Sequence, residues 1–287
     1  MPVPPVPAEP EAVSSQSPEA VAPQRRRLRL TLEFDGNAFK GWQRQAQGER
    51  TVQGVIEGAF GRLPGEHGSV NAAGRTDAGV HALALVAHVD TTSSIPDEKL
   101  RLALNAHLPD DVVVLEVASV ERTFEAQYDC LYRRYLYRLR VVRDDRRGLA
   151  IARRRLLPVY DPVDVSAMQK ASAQLLGRHD FAAFATQESR TTTRTVLLAE
   201  LREEAGELRL HIAADGFLRN MVRTIVGTLL WVGVGKLAAD DMASVIASAD
   251  RRLAGPNVAP HGLYFVEAGY RPWDLTASEA RLTGLVL

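Results

Sequence analysis

The apolar residues of this chain change period along its length, and that alternation limits the folds open to it more than any other feature. Leu28, Leu30, Leu32 and Phe34 alternate with Arg29, Thr31 and Glu33, the period-two pattern of a strand with one buried face. Asp35-Gly36-Asn37 reads as a turn. Val52, Val55, Ile56, Ala59, Phe60 and Leu63 then recur at helical spacing, with Thr51 placed to cap the helix and Pro64-Gly65 to end it. Strands are expected over residues 69–73, 83–89 and 112–120, with a second helix over 96–108. The first third is therefore β-α-β-β-α-β. A strand-rich stretch over 130–142, a helix over 163–176, strands over 196–202 and 208–213, and a long helix from Phe217 repeat the logic. Two similar halves of this kind predict an α+β fold of two sandwiches side by side. The expected division is a tail over 1–26, an N-terminal α+β domain over 27–125 and a C-terminal α+β domain over 126–287.

Residues 1–24 are rich in Pro, Ala, Ser and Glu and carry no periodic pattern, which predicts disorder. The remainder is ordinary for a globular protein, with 46% apolar and 24% charged residues among 287, so collagenous and wholly disordered classes are excluded. Cys130 is the single cysteine. It can form no internal disulfide and no multi-thiolate zinc site, which predicts a reducing compartment. The longest apolar stretch, residues 224–235, is about half the roughly 20 residues that span a bilayer. With no signal-peptide pattern at the start, a cytoplasmic protein without a membrane partner is expected.

Lys plus Arg and Asp plus Glu both total 35, so net charge points to no partner. Local charge does. Residues 131–155 hold ten arginines against Asp144 and Asp145, and Arg25, Arg26, Arg27 and Arg29 form a second cluster. The basic stretch is interleaved with aromatics in Tyr132-Arg133-Arg134-Tyr135-Leu136-Tyr137-Arg138, where a strand would put Tyr135 and Tyr137 on one face and Arg134, Leu136 and Arg138 on the other. Phosphates and unstacked bases suit such a surface. A general preference for Arg over Lys explains the residue type but not the clustering.

Gly74-Arg75-Thr76-Asp77-Ala78-Gly79-Val80-His81 packs two glycines, an arginine, a carboxylate and a histidine between two strands. The plain alternative is a surface hairpin whose Asp and Thr only satisfy the turn. A metal site is not expected, because His81 has no second ligand four residues on and the other histidines are scattered. In Asp215-Gly216-Phe217-Leu218-Arg219-Asn220-Met221-Val222-Arg223, a helix opening at Phe217 would put Arg219 and Arg223 on one face, to bind phosphate or pair with a carboxylate. Two solvated arginines are the plain alternative. Gly233-Val234-Gly235-Lys236 is no phosphate loop, since Leu237 follows where Ser or Thr is needed.

Taken together these segments resemble the tRNA pseudouridine synthase A (TruA-type) family. Phe34-Asp35-Gly36, Phe39-Lys40-Gly41-Trp42-Gln43-Arg44-Gln45 and Thr51-Val52-Gln53 look like its opening, and 74–81 like its catalytic motif. Arg133-Arg134-Tyr135-Leu136-Tyr137 is similar to its tyrosine strand. Residues 177–184, 216–223, Ala254-Gly255-Pro256 and Gly262-Leu263-Tyr264 complete the order. Cys130, where the family commonly has Ala, residues 257–260 and the acidic tail depart from it.

The resemblance implies two ferredoxin-like halves whose sheets join around a central basic cleft, assembled as a homodimer. It implies isomerisation of uridine to pseudouridine at positions 38, 39 and 40 of the tRNA anticodon stem-loop. Asp77 would be the catalytic nucleophile, Tyr135 the active-site tyrosine, Arg223 the carboxylate's partner, and Arg75 a residue that displaces the base; Arg134 and Arg219 join Arg75 and Tyr135 as substrate-binding candidates. A carboxylate can act as nucleophile or as base, and that choice stays open. The reaction requires neither metal nor organic cofactor. The same chemistry on another RNA, and a non-catalytic tRNA-binding protein, are the alternatives; a glycoside hydrolase would want a second carboxylate about the sugar.

Overall fold

The computed structural model describes Met1 and residues 25–45, 48–143, 145–186 and 191–282. The tail expected over 1–24 lies, apart from Met1, outside them. Arg25 and Arg26 do not belong to it: Arg25 pairs with Glu66 at 3.0 Å, and Arg26 opens the first strand.

Strand β1 (Arg26–Phe34) buries its alternate leucines as the pattern requires. Helix α1 (Val52–Phe60) is capped by Thr51, whose hydroxyl accepts from the Gly54 N–H, but it stops at Phe60, before Pro64-Gly65. Strands β2 (Asn71–Ala72) and β3 (His81–Thr91), helix α2 (Asp97–Asn105) and strand β4 (Val112–Val120) follow. The strand expected over 69–73 shrinks to the two residues of β2. β3 starts two residues earlier and is buried on both faces, as a central strand must be.

Further along lie β5 (Tyr132–Val141), β6 (Leu157–Val159), α3 (Val165–Ala173), β7 (Gly177–Asp180), β8 (Thr193–Glu204), β9 (Glu207–Ala214), α4 (Met221–Gly233), α5 (Met242–Ser248), β10 (Leu263–Gly269) and α6 (Leu275–Leu282). The strands form one sheet in the order β4-β1-β3-β10-β5-β9-β8-β7, with β2 paired to β3 and β6 to β5. The architecture is α+β. β10 lies between β3 and β5, parallel to the first through Tyr264 opposite His81 and antiparallel to the second through Phe265 opposite Tyr135.

The buried residues of α1 to α5 share one core with the inward side chains of the sheet, including Leu28, Leu30, Tyr135, Tyr137, Ile212 and Phe265. A small second cluster of Leu83, Leu136, Tyr264 and Val266 is separate from it. There α6 covers β5 and β10: Ser278 accepts from Arg134 and donates to Glu267, and Arg281 pairs with Glu267. Among the described residues no helix is long and apolar enough to cross a membrane.

The start of the long helix is corrected as well. The long helix begins at Met221, not Phe217, because Asn220 stands in the left-handed region with φ 63° and interrupts the helical path. Arg219 therefore precedes the helix, and it does not share a helical face with Arg223.

Candidate active site

The segment 74–80 leaves the sheet as a loop before β3, and backbone fitting against 35–42 holds it in shape. The Trp42 N–H donates to the Thr76 carbonyl at 3.0 Å. A Cβ on Gly36 would fall on the Val80 carbonyl, and one on Gly41, which also has φ 98°, would lie 2.6 Å from the Thr76 oxygen. Only glycine permits this approach. At the loop's end His81 is buried; it accepts from the Gly36 N–H at Nδ1 (3.1 Å), so the proton sits on Nε2, which donates to the Arg154 carbonyl at 3.0 Å. Burial holds this imidazole below its ordinary pKa, and both nitrogens are engaged within the protein. Among the described residues no group of three His, Cys, Asp or Glu side chains gathers in a way that would hold a metal ion.

The loop forms one wall of a cavity of about 1050 Å³. Asp77 lines it, 37% exposed, and its Oδ2 accepts from Arg223 Nη1 at 3.2 Å, across 146 residues of sequence. Arg223 projects from the first turn of α4 and is only 14% exposed. Its Nη1 also donates to Asn220 Oδ1 at 2.8 Å, and its Nε to the Val258 carbonyl at 2.8 Å. The left-handed Asn220 that stops the helix is thus one of the groups that aim the arginine.

Tyr135 closes the cavity from β5, with Phe217 and Phe265 edge-on to its ring at 5.0 and 5.1 Å. Burial pushes its phenol well above the usual tyrosine range, so it is a neutral hydroxyl at physiological pH. Gly74 lies beside it; a Cβ there would sit 3.8 Å from the Tyr135 hydroxyl. Tyr137, two residues along the same face, donates to the Ala259 carbonyl at 2.6 Å.

Lys40, Arg75, Arg133, Arg194, Arg219 and Arg223 line the cavity, and Asp77 is its one carboxylate among the described residues. Arg75 is exposed and pairs with no carboxylate among the described residues, and Arg219 lies at the opposite wall. The structure thus brings Asp77, Tyr135, Arg223, Arg75 and Arg219 to one place.

Arg134 is not among them. It is fully buried on the other sheet face, donating to Ser278 Oγ and Glu279 Oε1, both at 2.8 Å, and to His211 Nδ1 at 3.2 Å. Strand parity already sets it opposite Tyr135. Arg133, which shares parity with Tyr135, reaches the cavity instead. Its guanidinium donates to the carbonyls of Ala73 (2.8 Å), Gln127 (2.7 Å) and Asp215 (3.0 Å), tying the start of the 74–80 loop to the segment before α4. The edge-on role of Phe217 and the aiming role of Asn220 carried no signal in a single sequence.

A family model described as tRNA pseudouridine synthase matches residues 31–129 and 171–271. The tRNA pseudouridine synthase A of a Thermus thermophilus strain is 48% identical over 252 residues, covering 85% of this chain and 97% of that protein. Proteins of the same name from Clostridium botulinum and Rhodopseudomonas palustris are 43% and 40% identical over 247 residues each, covering 85% of this chain and 100% and 99% of their own. The matched segments carry both sides of the cavity, Asp77 on one and Arg223 on the other, and this chain belongs to the tRNA pseudouridine synthase family.

Proposed function

We propose that this chain is an isomerase that converts uridine to pseudouridine at positions 38, 39 and 40 of the tRNA anticodon stem-loop. The observation that carries the proposal is the ion pair between Asp77 and Arg223 inside a cavity lined by cations and closed by Tyr135. Uridine loses its N1–C1′ bond and its C5 proton; the product gains a C5–C1′ bond and an N1 proton, with no redox change. Asp77 attacks the nucleoside or takes the sugar proton that starts cleavage. Arg223 keeps that carboxylate aimed, its Nη1 on Asp77 while its Nε is anchored on the Val258 carbonyl, an arrangement that a lysine cannot copy.

A stacked uridine cannot reach Asp77, so it leaves the stem at a cost of about a few kcal/mol. Arg75, exposed at the rim, fills the space it vacates, and Tyr135 packs against the extruded base. As a neutral phenol, Tyr135 serves first as a surface and hydrogen-bonding group. It can take the C5 proton only once the bound intermediate makes that transfer favourable. Arg219 and Arg133 belong to the surrounding basic wall.

The strand orders support a finer reading of the architecture. β4-β1-β3-β2 and β10-β5-β9-β8 each follow the ferredoxin-like order, which fits two such halves joined around a basic cleft. Division near residue 125 follows from the repeated strand and helix pattern, a homodimer from the family resemblance, and a single buried cysteine fits a cytoplasmic enzyme.

The test uses tRNA transcripts carrying tritium at uridine C5, with wild type and Asp77→Asn side by side, with and without a chelator. Release by wild type alone, unaffected by chelation and mapped to the anticodon stem-loop, supports the proposal. Tight tRNA binding without release would move the protein to a binding role, and release from another RNA would reassign the target.

A further inference from the structure

A second cavity, of about 300 Å³, adjoins the first across Ala78 and Gly79. Lys40, Ala78 and Pro260 border both, so a strand leaving the neighbourhood of Asp77 passes directly into it. Arg154 and His261 complete its polar lining with Asn37. The side chains of Lys40 and Arg154 are exposed and pair with no carboxylate among the described residues.

Arg154 is held there by construction. Its backbone is left-handed, with φ 61°, a region that non-glycine residues adopt rarely and at a cost. Two rings fix the chain in that state. His81 Nε2–H donates to the Arg154 carbonyl at 3.0 Å, and the Tyr264 hydroxyl donates to the next carbonyl, Arg155, at 2.6 Å. The rings stack on each other with centroids 4.7 Å apart, one at the start of β3 and the other at its register partner on β10. The last residue of the catalytic-motif segment therefore determines where an arginine 73 residues later stands. His261 across the cavity is kept neutral by burial and by Arg154 itself, so it adds a polar edge without a competing charge.

We propose that this second cavity is an RNA-contacting subsite in which Arg154 and Lys40 bind a phosphodiester adjoining the target nucleotide, with His81 as the positioning residue that holds Arg154 in place. The proposal rests on the function proposed above. A phosphate is the ligand that suits two unpaired cations at the edge of an otherwise uncharged cavity adjoining the larger one that holds Asp77.

The experiment is full-length protein binding to unmodified tRNA over a salt series, in the Asp77→Asn background so that turnover does not intervene. Arg154→Gly removes the guanidinium while suiting the left-handed backbone, so loss of fold does not confuse the result. It is expected to weaken binding about tenfold and to reduce the slope of log Kd against log salt by about 0.7 to 0.9, the share of one phosphate. Arg154→Lys should restore the slope. His81→Phe, which keeps the ring stack and loses both hydrogen bonds, should lower the slope alike and add nothing to Arg154→Gly. A neutral methylphosphonate at one linkage beside the target should weaken wild-type binding, weaken the Arg154→Gly variant less because Lys40 alone still meets that phosphate, and leave an Arg154→Gly/Lys40→Gln double variant unaffected. Unchanged affinity and slope in Arg154→Gly would overturn the subsite, and additive losses in the double variant would overturn the role of His81. A wild type that binds tRNA yet releases no tritium would overturn the proposed reaction and leave this subsite standing.

Discussion

One carbonyl separates the two tyrosines of β5 in what they do. The Tyr135 hydroxyl has no hydrogen-bond partner among the described residues, while the Tyr137 hydroxyl holds the Ala259 carbonyl, next to the Val258 carbonyl that receives Arg223 Nε. Tyr135→Phe should therefore leave thermal stability unchanged and reduce turnover of bound tRNA. Tyr137→Phe takes the hydroxyl donor from a partly buried carbonyl, a loss of about 0.5–1.5 kcal/mol, and loosens the support of Arg223. Thermal melts beside single-turnover rates check the pair; a Tyr137→Phe variant as stable as wild type would contradict the assignment. Arg223 itself meets three separate acceptors with two of its nitrogens. Arg223→Lys keeps the charge but not the fork, and turnover should fall about 100-fold or more while tRNA affinity changes little. Near wild-type single-turnover rates would show that charge alone suffices. At this scale Asp77, Arg75 and Arg223 are singled out by the family resemblance, since residue type alone leaves a surface hairpin and solvated arginines as the plain alternatives; the structure brings all three to one cavity. Arg134 was misplaced because its motif was weighed above its strand parity.

Among the elements, α4 and the segment 254–260 beside it form a single device. Gly227, in the middle of the helix, faces Gly255 and Pro256 so closely that a Cβ would fall on the Pro256 carbonyl. Thr228 Oγ1 accepts from the Gly255 N–H at 2.8 Å and donates to the Thr224 carbonyl at 2.9 Å. The segment is thereby laid along the helix in the register that brings Val258 to Arg223 and Pro260 to Gly79. Gly227→Ala should lower stability by about 1–3 kcal/mol or more, despite alanine's better helix propensity, because backbone cannot yield as a side chain does. Turnover should fall further than stability explains, since Arg223 loses its carbonyl partner. Denaturant melts paired with rate constants test this, and a stabilised variant would refute the packing argument. Helical periodicity found α4 but began it at Phe217, since Phe217 and Met221 fall four apart on an apolar phase. Tertiary packing assigns Phe217 to Tyr135 instead, and the left-handed Asn220 was not visible in composition.

Across the whole molecule, β10 shows what local pattern cannot specify. No strand is read from the sequence over 263–269, and its position between β3 and β5 depends on pairings with residues far away in sequence, Tyr264 with His81 among them. That placement buries the His81 ring against Tyr264, one of several buried imidazoles that shape the acid response of the fold. His81, His88, His211 and His261 are all held below their ordinary pKa chiefly by burial, His211 to about 4 with Arg202 and Arg134 adding to the effect. Below pH ~6.5 the unfolded chain therefore binds protons that the folded one refuses, and stability falls as pH drops. Above ~6.5 neither state is charged at these sites, so their contribution is level there. For His211 the loss accumulates between pH ~6.5 and about 4 and then stops. The melting temperature should accordingly decline through that interval. His211→Gln keeps an acceptor for Arg134 and cannot titrate, so it should flatten part of the decline while leaving the plateau near neutral pH close to wild type. Calorimetric melts across the interval decide it: an identical slope in the variant would mean that the buried ring on the far face of the sheet takes no part in the acid response.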